Sequence, residues 1–408
     1  MKMFKLFGQS LALTLALASF APAHAQGKDP IVVGSILDET GGLDIYGKAM
    51  ADSTRLAIDD INKSGGVLGS QLKLVSYDAQ SNNANYSRYA NELALRDKAV
   101  VIMGGVTSAS REAIRPVADR NKTLYFYNEQ YEGGVCDKNV FNTGVVPSQQ
   151  LAPLIDYAVK HYGKRLYVLA ADYNYGHISA DWVKAYATKD GAQVVGTDFI
   201  PLDVAEFGST ITKLQDNKPD VVVSLLVGGN HIAFYRQFAS AGLGGKMTIV
   251  SPTFGLGNEQ TVLAANEAKG ILAVYPYFQE VDTPANRKFT ALWSSKYGTN
   301  HGYITDSAVA VWNGWHLWAK AVQKAGTTDR TKVIAALESG ISIDSPSGTV
   351  TMDGPSHHVI QNTYFAQAND AHGFTIVGKQ EAVPPAFEKE KCDLIKNPGL
   401  HTQFMPGQ

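Results

Sequence analysis

Two strand-like runs and the helix between them decide the fold: IVVGSIL at residues 31–37, LKLVSY at residues 72–77, and the amphipathic stretch that separates them. Both runs are short and rich in β-branched and other apolar residues, which is typical of strands. The apolar residues of the intervening stretch recur at helical spacing and share one face: Met50, Ala57, Ile58 and Ile61. Gly65 and Gly66 then end the helix. The order strand, helix, strand predicts a parallel sheet with helices on its faces.

The same alternation continues along the chain and then begins a second time. The first series contains further strands at residues 99–104 and 123–127. The second series shows the same elements, namely strands at 165–171, 221–227 and 247–250 and helices at 180–189 and 232–241. Two successive series of similar size predict an α/β protein of two similar lobes, each a doubly wound parallel sheet.

The part of the chain after about residue 270 is too short for a third domain. It contains a strand at 271–277 and a long helix at 307–324. We expect these elements to complete both lobes, so that the chain crosses between them more than once. The resulting division is lobe I at 26–146 plus 274–343, lobe II at 147–273 plus 344–385, and a C-terminal tail at 386–408.

The first 25 residues have the layout of a secretory signal peptide. Lys2 and Lys5 give a positive start, Leu11 to Phe20 is almost entirely apolar, and Ala23-His24-Ala25 provides a small-x-small cleavage site. The apolar stretch is too short to span a bilayer stably. We therefore expect a soluble mature protein that begins near Gln26 and works outside the cytoplasm, without direct membrane insertion.

Composition and charge exclude some classes of partner. The sequence has 36 basic and 38 acidic residues, and 45% of its residues are hydrophobic, as in ordinary globular proteins. Since the chain has no run of five Lys or Arg residues, neither a nucleic-acid groove nor a polybasic membrane patch is expected. The two cysteines, Cys136 and Cys392, could form a disulfide in an oxidising compartment if their Cα atoms come within about 7 Å.

Distinctive polar and aromatic residues follow the predicted strands. They occur in four segments: Thr107–Ser110, Tyr127–Glu129, Asp172–Tyr175 and Gly228–His231. Ligands of open α/β sheets bind outside the carboxyl ends of the strands. Two sheets whose strand ends face each other would form a cleft that can enclose a small solute.

These segments resemble the type I periplasmic solute-binding proteins of the branched-chain amino acid group. The similarity extends from Ile31 to about Gln367, and the run Leu56–Asn62 with its glycine turn is similar to the first helix of that whole group. Four segments resemble the urea and short-chain amide binders within it: Gly41–Gly47, Ser108–Glu112, Tyr131–Asp137 and Asp172–Gly176. The resemblance implies the periplasmic binding protein type I fold, a hinge of several crossovers, and an ABC-type membrane permease as partner.

The resemblance also implies candidate ligand-binding residues. Ser108 would bind ligand from lobe I, where its hydroxyl and the free N–H groups of a helix start suit an oxygen atom. The alternative is that Ser108 only caps the helix. Tyr173 and Tyr175 would offer aromatic walls and hydroxyl groups from lobe II, or else pack between the lobes. Tyr46 and Tyr127 are further candidates for the cleft.

Glu129 departs from the pattern of the neutral-amide binders, which usually have a small hydroxyl residue at this position. An enclosed carboxylate needs donors or a cation, because an unpaired buried charge is costly. The N–H groups of urea, or a guanidinium or ammonium group, would serve, and a salt bridge to Arg111 or Arg115 is the structural alternative. The acidic residue by which the amino-acid binders hold an α-ammonium has no counterpart at Ser251–Gly255.

No catalytic, cofactor or metal motif occurs in the sequence. It lacks a Gly-x-Ser-x-Gly elbow, a His-Glu-x-x-His motif and a phosphate loop, and His357-His358 is expected in a turn between strands. We therefore expect no enzyme activity, cofactor or metal. The resemblance implies a solute-binding component of an ABC importer for urea or a short-chain amide. The alternatives are a binding protein for branched-chain or other amino acids, or a ligand sensor for a membrane receptor.

Overall fold

A computed structural model describes Met1 and residues 28–408. The predicted signal peptide, residues 1–25, therefore lies outside the described residues apart from Met1. Within the described part of the chain, no helix is both long enough and apolar enough to cross a membrane.

The chain first builds lobe I, whose elements are β1 (Ile31–Leu37), α1 (Asp44–Lys63), β2 (Leu72–Asp78), α2 (Asn83–Asn91), β3 (Val101–Gly104), α3 (Ser108–Arg120), β4 (Leu124–Tyr127), β5 (Val135–Asp137) and β6 (Val140–Asn142). A π-helical turn, Glu92–Arg96, follows α2 directly. Five of the strands form a parallel sheet in the order β2-β1-β3-β4-β6. The short strands β3 and β4 are buried throughout, because helices cover both faces of the sheet.

Lobe II repeats this pattern with α4 (Leu151–His161), β7 (Arg165–Ala171), α5 (Asn174–Lys189), β8 (Gln193–Ile200), α6 (Gly208–Asn217), β9 (Val221–Leu225), α7 (Asn230–Ser240), β10 (Thr248–Val250), α8 (Glu259–Val262), α9 (Ala265–Ala268) and β11 (Leu272–Tyr275). Its parallel strands have the order β8-β7-β9-β10-β11. This order matches that of lobe I strand for strand. The prediction of two similar α/β lobes is confirmed.

The remaining elements are α10 (Pro284–Tyr297), α11 (Asp306–Ala325), α12 (Arg330–Glu338), β12 (Ser342–Ser345), β13 (Gly348–Asp353), β14 (His358–Ala368), β15 (Phe374–Val383), α13 (Ala386–Lys391) and β16 (His401–Gln403). Helix α11 packs on α1 of lobe I, whereas β14 extends the lobe II sheet beside β11. Strand β14 runs antiparallel to β11, β13 and β15, so the lobe II sheet is mixed rather than purely parallel. Of the two histidines expected in a turn, His357 lies in the turn before β14, whereas His358 is the first residue of that strand.

The chain passes between the two lobes after β6, after β11 and before β14. Two glutamines in the first passage tie these segments together. The amide of Gln149 donates to the carbonyl oxygen of Val359 at 2.9 Å, and the amide of Gln150 donates to that of Val274 at 2.8 Å. These passages form the hinge of several crossovers that the resemblance implied.

The C-terminal tail lies against lobe I. Strand β16 pairs antiparallel with β5. Cys136 in β5 and Cys392, just after α13, form a disulfide with their Cα atoms 5.6 Å apart. This distance lies within the range of about 4.4–6.8 Å that is usual for disulfides. Both cysteines are fully buried, so the bond fastens the tail to the interior of the lobe.

Candidate ligand-binding site

A cavity lies between the lobes, where the carboxyl ends of the parallel strands of the two sheets face each other. Its lining comes from the ends of three equivalent strands in each lobe: Tyr46 after β1, Val106, Thr107 and Ser108 after β3, Tyr127, Glu129 and Gln130 at the end of β4, Tyr173 and Tyr175 after β7, Val227 after β9, and Thr253 and Leu256 after β10. The volume open to the centre of a sphere the size of a water molecule is about 30 Å³. All six residues selected from the sequence line it, namely Tyr46, Ser108, Tyr127, Glu129, Tyr173 and Tyr175.

The N-terminus of α3 forms one wall of the cavity. Thr107 is the N-cap residue, since its hydroxyl oxygen accepts the N–H of Ser110 at 3.1 Å, and the Ser110 hydroxyl oxygen accepts the N–H of Thr107 at 2.9 Å. This reciprocal arrangement is a capping box. Ser108 is therefore not the cap, and its N–H and that of Ala109 belong to the first turn, which has no intrahelical partners. These groups can receive an oxygen atom of a ligand.

The hydroxyl of Ser108 donates to the carboxylate of Glu132. Glu132 also accepts from Arg111 at 2.8 Å, and both side chains are fully buried. Arg111 makes a further ion pair with Glu112, and its guanidinium lies over the Tyr131 ring at 4.6 Å from the centroid. The nearby carboxylates raise the pKa of Arg111 despite its burial. Because the proton of the Ser108 hydroxyl is engaged by Glu132, this hydroxyl offers its oxygen as an acceptor toward the cavity.

Among residues 28–408 no ion pair involves Glu129, which overturns the alternative of a salt bridge to Arg111 or Arg115. Arg111 pairs with Glu112 and Glu132, and Arg115 pairs with Glu112 and Asp137. The charge of each arginine is thus compensated away from the cavity. Glu129 lines the cavity, and neither arginine forms an ion pair with it.

The carboxyl of Glu129 is only half satisfied. Its Oε1 accepts the N–H of Gln130 at 2.9 Å, whereas Oε2 has no hydrogen-bond partner among the described residues. Burial raises the pKa of Glu129 to about 7, although the Ser307 hydroxyl, which lies nearby but outside hydrogen-bond geometry, and the Gln130 N–H lower it in part. Burial and the charge of Glu129 together raise the pKa of Asp306. The site therefore contains a carboxyl that can accept hydrogen bonds and that ionises near neutral pH.

Two tyrosines join the lobes directly. The hydroxyl of Tyr175 in lobe II accepts the side-chain N–H of Gln130 at 3.2 Å. The hydroxyl of Tyr46 in lobe I accepts the N–H of Gly228 at 2.8 Å and lies 3.2 Å from Nε2 of His231. Hydrogen bonds therefore cross the cleft on two sides of the cavity, and the two lobes are closed on each other.

Two other polar atoms of the lining lack partners among the described residues, namely the Tyr127 hydroxyl and Oε1 of Gln130. Tyr173 contributes a second aromatic wall, and its ring centroid lies 5.9 Å from that of Tyr175. Buried polar groups without a hydrogen-bond partner are uncommon in native proteins, so each of these atoms is expected to have one. A bound solute with donors and an acceptor would supply these partners.

Five of the twelve lining residues lie outside the segments and candidates selected from the sequence. Gln130, Thr253 and Leu256 directly follow or lie near strand ends, and the rule on carboxyl ends of parallel strands could have selected them. Thr253 lies in the segment Ser251–Gly255, whose only feature noted in the sequence is the absence of an acidic residue. Val106 and Val227 carry no polar atom, so no chemical signal marked them as cavity residues.

The sequence model of the periplasmic binding protein family matches residues 30–373. A Leu/Ile/Val-binding protein homolog of Brucella melitensis is 25% identical over 404 residues, covering 97% of this chain and 100% of that protein. The leucine-, isoleucine-, valine-, threonine- and alanine-binding protein of Pseudomonas aeruginosa is 26% identical over 351 residues, covering 84% of this chain and 91% of that protein.

Solved structures show the same fold. A solute-binding protein of an ABC transporter from Rhodopseudomonas palustris, in complex with 3,4-dihydroxybenzoic acid, has a TM-score of 0.79 at 24% identity. The match covers 88% of this chain and 99% of that one. A leucine-binding protein of Thermotoga maritima has a TM-score of 0.73 at 19% identity, covering 86% of this chain and 99% of that one.

Proposed function

The chain belongs to the periplasmic binding protein family, and on that premise we propose that it encloses one small polar solute between its lobes and delivers it to the membrane permease of an ABC importer. Members of this family bind solutes and are not enzymes, in agreement with the expectation from the sequence. A ligand favours the closed state only through contacts with both lobes, and the cavity offers groups from both. The periplasmic location and the cleavable signal at residues 1–25 are part of this proposal.

The proposed solute is urea or a short-chain amide. The observation that carries this choice is the pair of unpartnered acceptors in the cavity, Oε2 of Glu129 and Oε1 of Gln130. Amide N–H groups would donate to these oxygens. The carbonyl oxygen of the same molecule would accept from the first-turn N–H groups of Ser108 and Ala109. Both ends of a planar amide would then be satisfied by groups from lobe I, while the rings of Tyr173 and Tyr175 cover it from lobe II.

The size of the cavity supports a small solute. The centre of a water-sized sphere can move through about 30 Å³ of the cavity, which is more space than one bound water molecule needs, so the cavity can hold a molecule of several non-hydrogen atoms. Urea and acetamide have four non-hydrogen atoms each, whereas the side chain of leucine alone has as many.

Binding of an amino acid is the second candidate, because two relatives are named for leucine, isoleucine and valine. The α-carboxylate would bind the N-terminus of α3, and the α-ammonium would pair with Glu129 from the same lobe. Glu129 would then be fully ionised in the complex, since a buried ammonium needs a charged partner. The named relatives are only about a quarter identical to this chain, so they do not decide the ligand.

A thermal shift screen of the purified protein tests the proposal, with urea, acetamide, guanidinium chloride and leucine at millimolar concentrations. A ligand at about 100 times its dissociation constant stabilises by about 2.7 kcal/mol. Acetone is the matched control for acetamide, because it has the same shape and carbonyl group but no N–H donor. We expect a shift with urea or acetamide and none with acetone.

The other outcomes are equally informative. A shift with leucine alone would transfer the proposal to the amino-acid binders. A shift with guanidinium alone would make Glu129 the partner of a cation. An equal shift with acetone and acetamide would contradict the role of Glu129 and Gln130 as acceptors of N–H groups. A sensor for a membrane receptor would use the same cleft, and co-purification with a receptor rather than with a permease would favour it.

A further inference from the structure

We propose that the C-terminal tail is part of the ligand-binding machinery, and that Gln403 is a positioning residue that holds Ser108 at the cavity by way of Glu132. The proposal rests on the proposed role of the cavity as the ligand site. Gln403 lies in β16, outside the family match at residues 30–373. It does not line the cavity, so its effect on a ligand must pass through another residue.

Glu132 is the residue on which the contacts converge. Its Oε1 accepts from the side-chain amide of Gln403 at 2.7 Å and from Arg111 at 2.8 Å, and its other carboxylate oxygen accepts from the hydroxyl of Ser108. Its backbone carbonyl oxygen accepts the indole N–H of Trp182, a lobe II residue, at 2.9 Å. The tail and helix α3 therefore meet at one fully buried carboxylate, and lobe II contacts the backbone of the same residue.

Gln403 is held firmly enough to orient Glu132. Its amide N–H group also donates to the carbonyl oxygen of Gly133 at 2.9 Å, and its Oε1 accepts from Arg111 at 3.3 Å. Each polar atom of the amide thus has a partner, which selects one rotamer. Removing the amide would leave a buried carboxylate with one donor fewer, and such a group moves toward any remaining donor or toward water. Ser108 would lose the fixed acceptor of its hydroxyl proton.

The tail itself has several attachments to lobe I. Cys392 is bonded to Cys136 of β5. The carboxylate of Glu388 accepts the N–H of Gly134 at 2.9 Å, and the N–H of Phe404 donates to the carbonyl oxygen of Gly134 at 2.8 Å. The disulfide closes a loop of more than 250 residues, so it strongly limits how far the tail can move away. Breaking the disulfide should weaken the same contacts as removing the Gln403 amide.

The first test uses ligand-free protein, so it does not depend on the identity of the solute. Amide hydrogen exchange is measured over residues 106–112 in wild type, in Gln403→Met and in the control Thr402→Val. Successive side chains of a strand point to opposite faces, so Thr402→Val changes the neighbouring position of β16 without touching Glu132. We expect faster exchange over residues 106–112 in Gln403→Met and unchanged exchange in the control. The double variant Cys136→Ser/Cys392→Ser should change this segment in the same direction.

A double-mutant cycle with Ser108→Ala distinguishes positioning from general damage to the fold. If Gln403 acts through the hydroxyl of Ser108, then Gln403→Met adds no further change in exchange to the Ser108→Ala protein. Faster exchange confined to the tail, or an effect of equal size in both backgrounds, would overturn the proposal. Both results can be read even if the melting temperature of Gln403→Met is lower.

The second test is titration calorimetry with urea, acetamide, guanidinium chloride and leucine. We expect ligand affinity to be weaker by about tenfold or more in Gln403→Met, because the loss of one hydrogen bond to a charged group has an effect of this size. We expect unchanged affinity in Thr402→Val. An unchanged dissociation constant for a probe that binds would overturn the proposal. If none of the four binds wild type, the proposed function fails, while the exchange result still decides whether Gln403 positions Ser108.

Discussion

The hydroxyl of Tyr46 lies 3.2 Å from Nε2 of His231, and this contact joins lobe I to lobe II without any ligand. The same hydroxyl accepts the N–H of Gly228, which leaves its own proton available for donation to the imidazole. Burial lowers the pKa of His231 to about 3, so the ring is neutral at physiological pH and its Nε2 can accept. Tyr46 is therefore a residue of the closed interface as well as of the cavity lining.

Tyr46→Phe should shift the ligand-free protein toward the open state. The substitution keeps the ring in place and removes the two hydrogen bonds that cross the cleft, each worth about 1 kcal/mol. The radius of gyration from small-angle X-ray scattering should increase. Ligand affinity should fall, because more of the binding energy is used to close the lobes.

Tyr162→Phe is the matched control for this prediction. The hydroxyl of Tyr162 accepts from Gln367 at 2.8 Å, and both residues belong to lobe II. Removing this hydroxyl should leave the radius of gyration unchanged. Equal scattering curves for wild type and Tyr46→Phe would show that the contact between Tyr46 and His231 does not hold the lobes together.

Glu129→Gln should stabilise the ligand-free protein, and more at pH 8 than at pH 5. Burial raises the pKa of Glu129 from 4.5 to about 7, so the folded protein keeps this proton after the unfolded chain has lost it. The favourable contribution of the group is complete below pH 4.5 and is lost as the pH rises through 7. At pH 8 this amounts to about 3 kcal/mol. The difference in melting temperature between variant and wild type, measured across this range, reports the effect.

The exposed Glu206→Gln provides the control, because its carboxyl is not buried in either state. We expect a pH-independent difference from wild type for this variant. A pH-independent difference for Glu129→Gln as well would mean that Glu129 is solvated or paired in solution, and would remove the acceptor on which the choice of an amide rests.

The strands that carry the site could be predicted from the sequence with good accuracy. The runs at 31–37 and 165–171 agree with β1 and β7 at both ends, because both strands are flanked by clear turn signals. The family resemblance, rather than the strands themselves, selected Tyr46 and Tyr175 as candidates for the cleft. Strand β8 was missed, since it is an edge strand whose residues are largely half-exposed or exposed and lack an apolar run.

The contacts between side chains could not be predicted, because they depend on how the lobes and the tail are placed. Nothing local in the sequence marks Gln130 as the partner of Tyr175, or Glu132 as the partner of both Ser108 and Gln403. The last two residues are more than 290 positions apart. Likewise, the adjacency of Arg111 and Glu112 in the sequence does not identify the carboxylates that form ion pairs with Arg111.

Gly176→Ala should destabilise the protein and disturb the lobe II side of the cavity. A Cβ atom on Gly176 would lie 1.9 Å from the carbonyl oxygen of Ala171, so the start of α5 would have to move away from the end of β7. We expect a loss of about 1–3 kcal/mol in the free energy of unfolding, as for other overpacked positions. Weaker ligand binding should accompany it, because Tyr173 and Tyr175 lie on the segment that moves.

Gly208→Ala is the comparison, at the first position of α6, where a Cβ would meet no atom within 4 Å. It should be neutral or slightly stabilising, because alanine restricts the unfolded chain more than glycine does. Similar melting temperatures for the Gly176 and Gly208 variants would show that α5 and β7 are not packed as closely as described.

Tyr173→Ala should weaken ligand binding and leave the melting temperature of the ligand-free protein nearly unchanged. Tyr173 is only partly buried, whereas Tyr175 is buried and hydrogen-bonded to Gln130, so the loss of the Tyr173 ring removes little packing within the empty protein. With a solute bound, the same ring closes the cavity from lobe II. Loss of such an aromatic contact corresponds to an affinity about tenfold weaker. Titration calorimetry of the variant, with the ligand found in the screen, measures the effect.

Tyr173→Phe separates the contribution of the ring from that of the hydroxyl. Full affinity in Tyr173→Phe would assign the contribution to the ring, and a loss equal to that of Tyr173→Ala would assign it to the hydroxyl. An unaltered dissociation constant in Tyr173→Ala would exclude Tyr173 as a ligand contact and leave Tyr175 as the aromatic wall on that side.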